Sequence, residues 1–207
     1  MTLRVWSGRG LLLGMLFGGE PAVAAQGGYD VVLRQGTIYD GSGSRPFVGD
    51  VALQGDRIAA VGDLGGARGA LEIDTTGLAI APGFINMLSN NASLLQDGRS
   101  QSNIRQGVTL EVMGEGSSMG PLTAVMKAEA ADLQGDVKYT YEWTTLGGFL
   151  EHLERSGVSC NVASFVGAAT VRQHELGHAN RAPTPAELER MQTLVRQAME
   201  EGAVGLS

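Results

Sequence analysis

The stretch TPAELERMQTLVRQAMEEGAVGLS, Thr184 to Ser207, carries the clearest structural signal in the 207-residue chain. Thr184 can cap a helix, Pro185 occupies a first helical position where no N–H is needed, and Glu187 falls where its carboxylate reaches back to the cap. Leu188, Met191, Leu194, Val195, Ala198 and Met199 then recur at helical spacing, which predicts one apolar stripe running to about Glu201. Gly202 ends the helix, and AVGLS reads as a following strand. A helix with one apolar face leading into an apolar strand is the repeating unit of α/β architecture.

Working outward, the same alternation holds upstream. A helix is expected over roughly 145–156, with Leu146, Phe149, Leu150 and Leu153 on one face and Gly157 past its end. FINML (84–88), TLEVMG (109–114) and NVASFVG (161–167) read as buried strands. Before residue 82 the rhythm differs. YDVVLRQ, GTIYD, VGDVALQ, RIAAVG, LEID and LAIA are short strands divided by turn pairs such as Asp40-Gly41 and Gly55-Asp56. A β-rich segment therefore precedes β/α repeats.

Composition narrows the function. The chain is 43% hydrophobic and 18% charged, enough to bury a sizeable core, and its formal charge of −7 disfavours nucleic acid and anionic membrane surfaces. Residues 1–25 have the pattern of an export signal: basic Arg4 and Arg9, the apolar run Gly10–Gly19, and Ala22-Val23-Ala24 before the cut. An exported protein with no membrane attachment after signal removal is expected. Cys160 is the only cysteine and reads as a small buried hydrophobe. His152 falls on the polar side of its helix and is expected to be solvated.

His174-Glu175-Leu176-Gly177-His178 is a literal H-E-x-x-H, in which two histidines one helical turn apart share a zinc ion and the glutamate acts as base. The continuation that would supply a third histidine has Arg181 and Thr184 instead, leaving Glu187, Glu189, Glu200 or Glu201 as formal candidates. The β-branched run before it and Ala182-Pro183 after it predict a short turn, so the pair is expected to diverge. The zinc protease is the third reading. A phosphate cradle at Gly114-Glu115-Gly116 is discounted, because no further glycine pattern or lysine follows.

Six stretches carry a family resemblance. DVVLRQGTIYDGSG, GDRIAAVG and LAIAPGFIN are similar to the entry region of metal-dependent amidohydrolases. DGRSQSNIRQGVTLEVMGEGSSMGPL, RAPTPAELERM and GAVGLS resemble the N-acyl-D-amino-acid deacylase (D-aminoacylase) branch, and the likeness covers roughly residues 29–207. The resemblance implies an α/β fold: the N-terminal part of a composite β-sandwich over 26–81, then the first half of a (β/α)8 barrel over 82–207. It also implies hydrolytic cleavage of a small-molecule amide, an N-acyl-D-amino acid.

The departures matter as much. Where the family places two metal ligands on the first barrel strand, this chain has Leu88 and Asn90, so that metal position is expected to be lost. Where the D-aminoacylases have a zinc-binding cysteine after the second strand, this chain has Glu115, a carboxylate able to hold zinc at about 2.0–2.2 Å. One Zn2+ with Glu115 as ligand is therefore expected. The remaining ligands and the catalytic base are expected beyond Ser207, with the 207-residue chain as the N-terminal part of a longer enzyme, inactive alone. The alternative is a non-catalytic binding relative that has given up the first-strand ligands.

Overall fold

A computed structural model describes residues 28–207, and the expected export signal at 1–25 lies outside the described residues. The chain divides into two compact units at Gly83/Phe84.

In the first unit, β1 (Tyr29–Ile38) is the organising strand. It pairs antiparallel with β2 (Phe47–Gln54) and parallel with both β4 (Gly69–Asp74) and β5 (Ala79–Ile80), while β2 pairs antiparallel with β3 (Arg57–Gly62). YDVVLRQ and GTIYD, expected as two strands, are one strand interrupted by a bulge. The register moves from Leu33↔Val51 to Gly36↔Gly49, and Gln35 adopts a φ of 58° to absorb the extra residue. Asp50 holds that bulge, accepting from the Gln35 amide at 2.9 Å and from Arg34 Nη1 at 3.0 Å. Tyr29, Val32 and Ala52 form the small buried core of this unit.

The second unit is built on a parallel sheet ordered β6-β7-β8, from β6 (Phe84–Asn86), β7 (Val108–Met113) and β8 (Asn161–Ser164). The short helices α1 (Ser93–Gln96) and α2 (Gln101–Ile104) link β6 to β7. α3 (Ala124–Asp132) and α4 (Leu146–Ser156) link β7 to β8, and α5 (Ala168–Leu176) and α6 (Pro185–Glu200) follow. α4 forms as its sequence predicts. Thr145 accepts from the Gly148 amide, Leu146, Phe149 and Leu153 are buried, and Gly157 ends the helix at a φ of 73°. α6 shows the complete capping box, and Arg181 forks onto the Glu187 carboxylate at 2.6 and 2.8 Å. Only Ala198 of its stripe is fully buried, with Met191, Leu194 and Val195 packed at the margin of the core.

Three expectations need correction. Of FINML only Phe84–Asn86 forms a strand, and Phe84 and Ile85 are exposed, with only β7 beside β6 among the described residues. AVGLS pairs in parallel with the chain at and beyond the end of β8 without becoming a full strand: around the bridge Val166↔Leu206, the Val204 amide donates to the Ser164 carbonyl at 3.0 Å, Val166 to Gly205 at 2.9 Å, Ser207 to Val166 at 3.1 Å and Ala168 to Ser207 at 2.7 Å. His152 is not solvated. It is half-buried, with its ring centroid 4.8 Å from that of Trp143 at a tilt of 45° and its Nδ1 3.5 Å from Glu142.

Candidate metal site at the end of β7

β7 delivers the chain into a turn that only glycine permits. Met113 is buried, and Gly114 follows with a φ of 87°. A Cβ on Gly114 would sit 2.2 Å from the Phe165 carbonyl oxygen and 2.7 Å from Ser164 Oγ, so β8 leaves room for no side chain. Gly116, with a φ of 64°, turns the backbone again. Between these two glycines Glu115 is exposed, at the C-terminal end of a parallel strand.

The turn is fastened on two sides. From the α5 side, the Ala169 amide donates to the Gly116 carbonyl at 2.9 Å, and the Ser118 amide donates to Thr170 Oγ1 at 2.8 Å. Gly167 packs so tightly there that a Cβ would approach the Gly116 oxygen to 2.5 Å. From the β6 side comes Asn91. Its Oδ1 accepts from the Gly114 amide at 2.8 Å, and its Nδ2 donates to the Ser117 carbonyl at 2.5 Å.

The end of β6 is differently occupied. Leu88 is 68% exposed and has no lone pair to offer. Asn90 turns its Oδ1 to the Ala92 amide at 2.8 Å in a local turn. Among the described residues no three His, Cys, Asp or Glu side chains gather as a metal set. At this strand end the described chain presents one exposed carboxylate, Glu115, a donor type that zinc and harder divalent ions accept.

Four residues back along the same strand, Glu111 is completely buried. Its Oε1 accepts from Ser100 Oγ at 2.7 Å, Asn103 Nδ2 at 2.7 Å and Cys160 Sγ at 3.3 Å, while its Oε2 is buried without a partner. Burial, reinforced by the Glu111 charge, pushes the Cys160 thiol up to about 12. A thiol held protonated at neutral pH is no nucleophile, which agrees with the structural role expected for Cys160. The polar surroundings of Glu111 escape sequence reasoning, although a carboxylate inside an apolar strand run such as VTLEVM is a signal that it needs buried partners.

The H-E-x-x-H stretch is corrected in part. His174 and Glu175 lie in the last turn of α5, where a turn was expected, because buried Thr170, Val171 and Leu176 dock that helix against the core. The helix stops at Gly177, with a φ of 55°, and so His178 leaves the helical register. His174 Nδ1 sits 3.1 Å from Glu175, whose other oxygen accepts from Arg190 Nε at 2.6 Å, whereas His178 reaches Glu129 on α3 at 3.1 Å. Burial pushes the Glu175 carboxyl up, but Arg190 and His174 together hold it below the usual carboxylate range. The two histidines therefore face different carboxylates on different elements.

No family model matches the chain. It is 35% identical over 181 residues to the D-aminoacylase of Alcaligenes xylosoxydans xylosoxydans, spanning 86% of this chain and 37% of that protein. A solved D-aminoacylase, one that defines a novel subset of amidohydrolases, is 33% identical with a TM-score of 0.77, over 86% of this chain and 38% of its own. The N-acyl-D-glutamate deacylase from Bordetella bronchiseptica, solved with zinc and a phosphonate inhibitor mimicking the tetrahedral intermediate, is 30% identical with a TM-score of 0.76. That likeness covers 87% of this chain and 38% of the deacylase. The chain therefore spans a little over a third of the length of these relatives.

Proposed function

We propose that this chain, a relative of the N-acyl-D-amino-acid deacylases among the amidohydrolases, is part of an exported metal-dependent hydrolase that cleaves the amide bond of N-acyl-D-amino acids. The observation that carries the reading is Glu115, presented between two glycines at the C-terminal end of a parallel strand, where barrel enzymes build their sites. A divalent metal, when bound, supplies Lewis-acid polarisation of the amide carbonyl and activation of water. Glu115 would be one of its oxygen ligands, and the rigid turn from Gly114 to Ser118 keeps that carboxylate facing outward. The reading assigns one Zn2+, because Leu88 offers no donor and Asn90 is engaged by Ala92. It assigns the other ligands and the general base to protein beyond these 207 residues.

In the same reading, residues 26–81 belong to a composite β-sandwich and 82–207 to the first half of a (β/α)8 barrel. The division of the chain into compact units at Gly83/Phe84 and the parallel order β6-β7-β8 support this. Export follows from the pattern in residues 1–25.

The test is to extend the reading frame past Ser207 and assay the longer protein with N-acyl-D-amino acids and Zn2+. Turnover that Glu115→Ala abolishes is expected. A longer protein in which Glu115→Ala leaves zinc content and turnover intact would remove Glu115 from the site. The 207-residue chain alone is expected to bind Zn2+ weakly and to hydrolyse nothing, because zinc sites ordinarily take three or four protein ligands. The second reading, a non-catalytic binding relative, is favoured by Leu88 and Asn90, and metal-free longer protein would support it.

A further inference from the structure

We infer that Asn91 is a positioning residue for Glu115: its one amide group holds both ends of the turn that presents the carboxylate. This rests on the reading of Glu115 as a metal ligand. The turn contains two glycines, each permissive of many conformations, so the sequence from Gly114 to Ser117 has little preference of its own. The α5 contact through Ala169 fixes the Gly116 carbonyl, and the Phe165 amide holds the Met113 carbonyl at 2.8 Å, but neither engages the Gly114 amide or the Ser117 carbonyl that flank Glu115. Asn91 supplies both of these restraints. Its oxygen takes the Gly114 amide before Glu115, and its nitrogen takes the Ser117 carbonyl after it.

Asn91 is itself brought to this point by the ladder at the end of β6, where the Ser89 amide donates to the Val112 carbonyl at 2.9 Å. The segment that follows β6 carries Leu88 where the resemblance calls for a ligand, yet it serves the site through Asn91. A metal ligand must be held to within about 0.5 Å to be effective. One planar amide bridging two backbone groups supplies that kind of restraint. Aspartate could not reproduce it, since it accepts at both oxygens and the Ser117 carbonyl needs a donor.

The experiment titrates Zn2+ into the isotopically labelled chain and follows the amide resonances of Gly114 to Ser117, in the parent and in Asn91→Ala, Asn91→Ser and Glu115→Ala. Serine is too short to reach both anchors, and it gives a second reading should alanine fold poorly. Asn91→Ala is expected to weaken zinc binding at this turn by about tenfold. It should also speed hydrogen exchange of the Gly114 amide by about tenfold while thermal stability stays close to that of the parent. Parent-like affinity in both Asn91 variants, with binding lost in Glu115→Ala, overturns the inference and leaves Glu115 standing. A fall in thermal stability with affinity unchanged also overturns it, since Asn91 would then act on the fold alone. Retention of the zinc response in Glu115→Ala overturns the ligand reading beneath it.

Discussion

The middle of β7 and the turn just beyond it each carry a glutamate, and the two could hardly be placed more differently. Glu111 is sealed in the interior with three donors converging on one of its oxygens. Glu115 projects outward from a backbone held in place by its neighbours. The comparison separates two uses of the same side chain. At Glu111 the carboxylate holds the structure, tying α2 and the start of β8 to the strand. At Glu115 the structure holds the carboxylate.

That contrast can be broken most forcefully at the buried residue. Glu111→Ala leaves Ser100, Asn103 and Cys160 facing a void, and about 3 kcal/mol of stability should be lost in urea unfolding. A loss below about 1 kcal/mol would mean that Glu111 is not the structural partner its contacts imply. Alkaline titration sharpens the same point. The folded Cys160 thiol lies near 12, above its ordinary value of about 9. The folded state therefore binds the thiol proton more tightly than the unfolded state. This contribution to stability is complete below about pH 9 and disappears as pH rises through about 12. Native Cys160 should accordingly stay unreactive toward thiol reagents at pH 9 to 10, and Glu111→Ala should accelerate the reaction by removing the neighbouring charge. Prompt labelling of the native parent at that pH would contradict the burial.

Thr184→Ala provides a scale from a surface feature. It removes the cap of α6 and should cost about 1 kcal/mol. Glu115→Ala should have the smallest effect on stability, within about 0.5 kcal/mol, as expected for an exposed turn side chain. A larger loss would place Glu115 in the fold and weaken its reading as a ligand.

What the sequence disclosed follows a physical division. α4 and α6 were legible because their signals are local: a threonine cap, an apolar period and a glycine stop all lie within the helix or at its ends. β7 and β8 were legible as apolar runs. The bulge in β1 was not, since it depends on Asp50 across the sheet, fifteen residues away in sequence. α5 was mistaken for a strand running into a turn because its β-branched Thr170 and Val171 favour strands, and docking onto the core overrode that preference. The reading of Glu115 as a ligand rests on the family resemblance and its flanking glycines. Asn91 was invisible, because its two hydrogen bonds span 23 and 26 residues and an asparagine in a polar loop has no distinguishing pattern.

Trp143 gives the second unit a built-in optical reporter. Its indole N–H donates to the Met119 carbonyl at 2.6 Å, and the ring is 4% exposed beside Phe149 and His152. An indole in such surroundings emits at short wavelength, and its emission moves to the red when water reaches it. The chain's other tryptophan, Trp6, belongs to the expected export signal, so protein lacking that segment would emit from Trp143 alone. Every change in its fluorescence would then record the opening or closing of the core around α4.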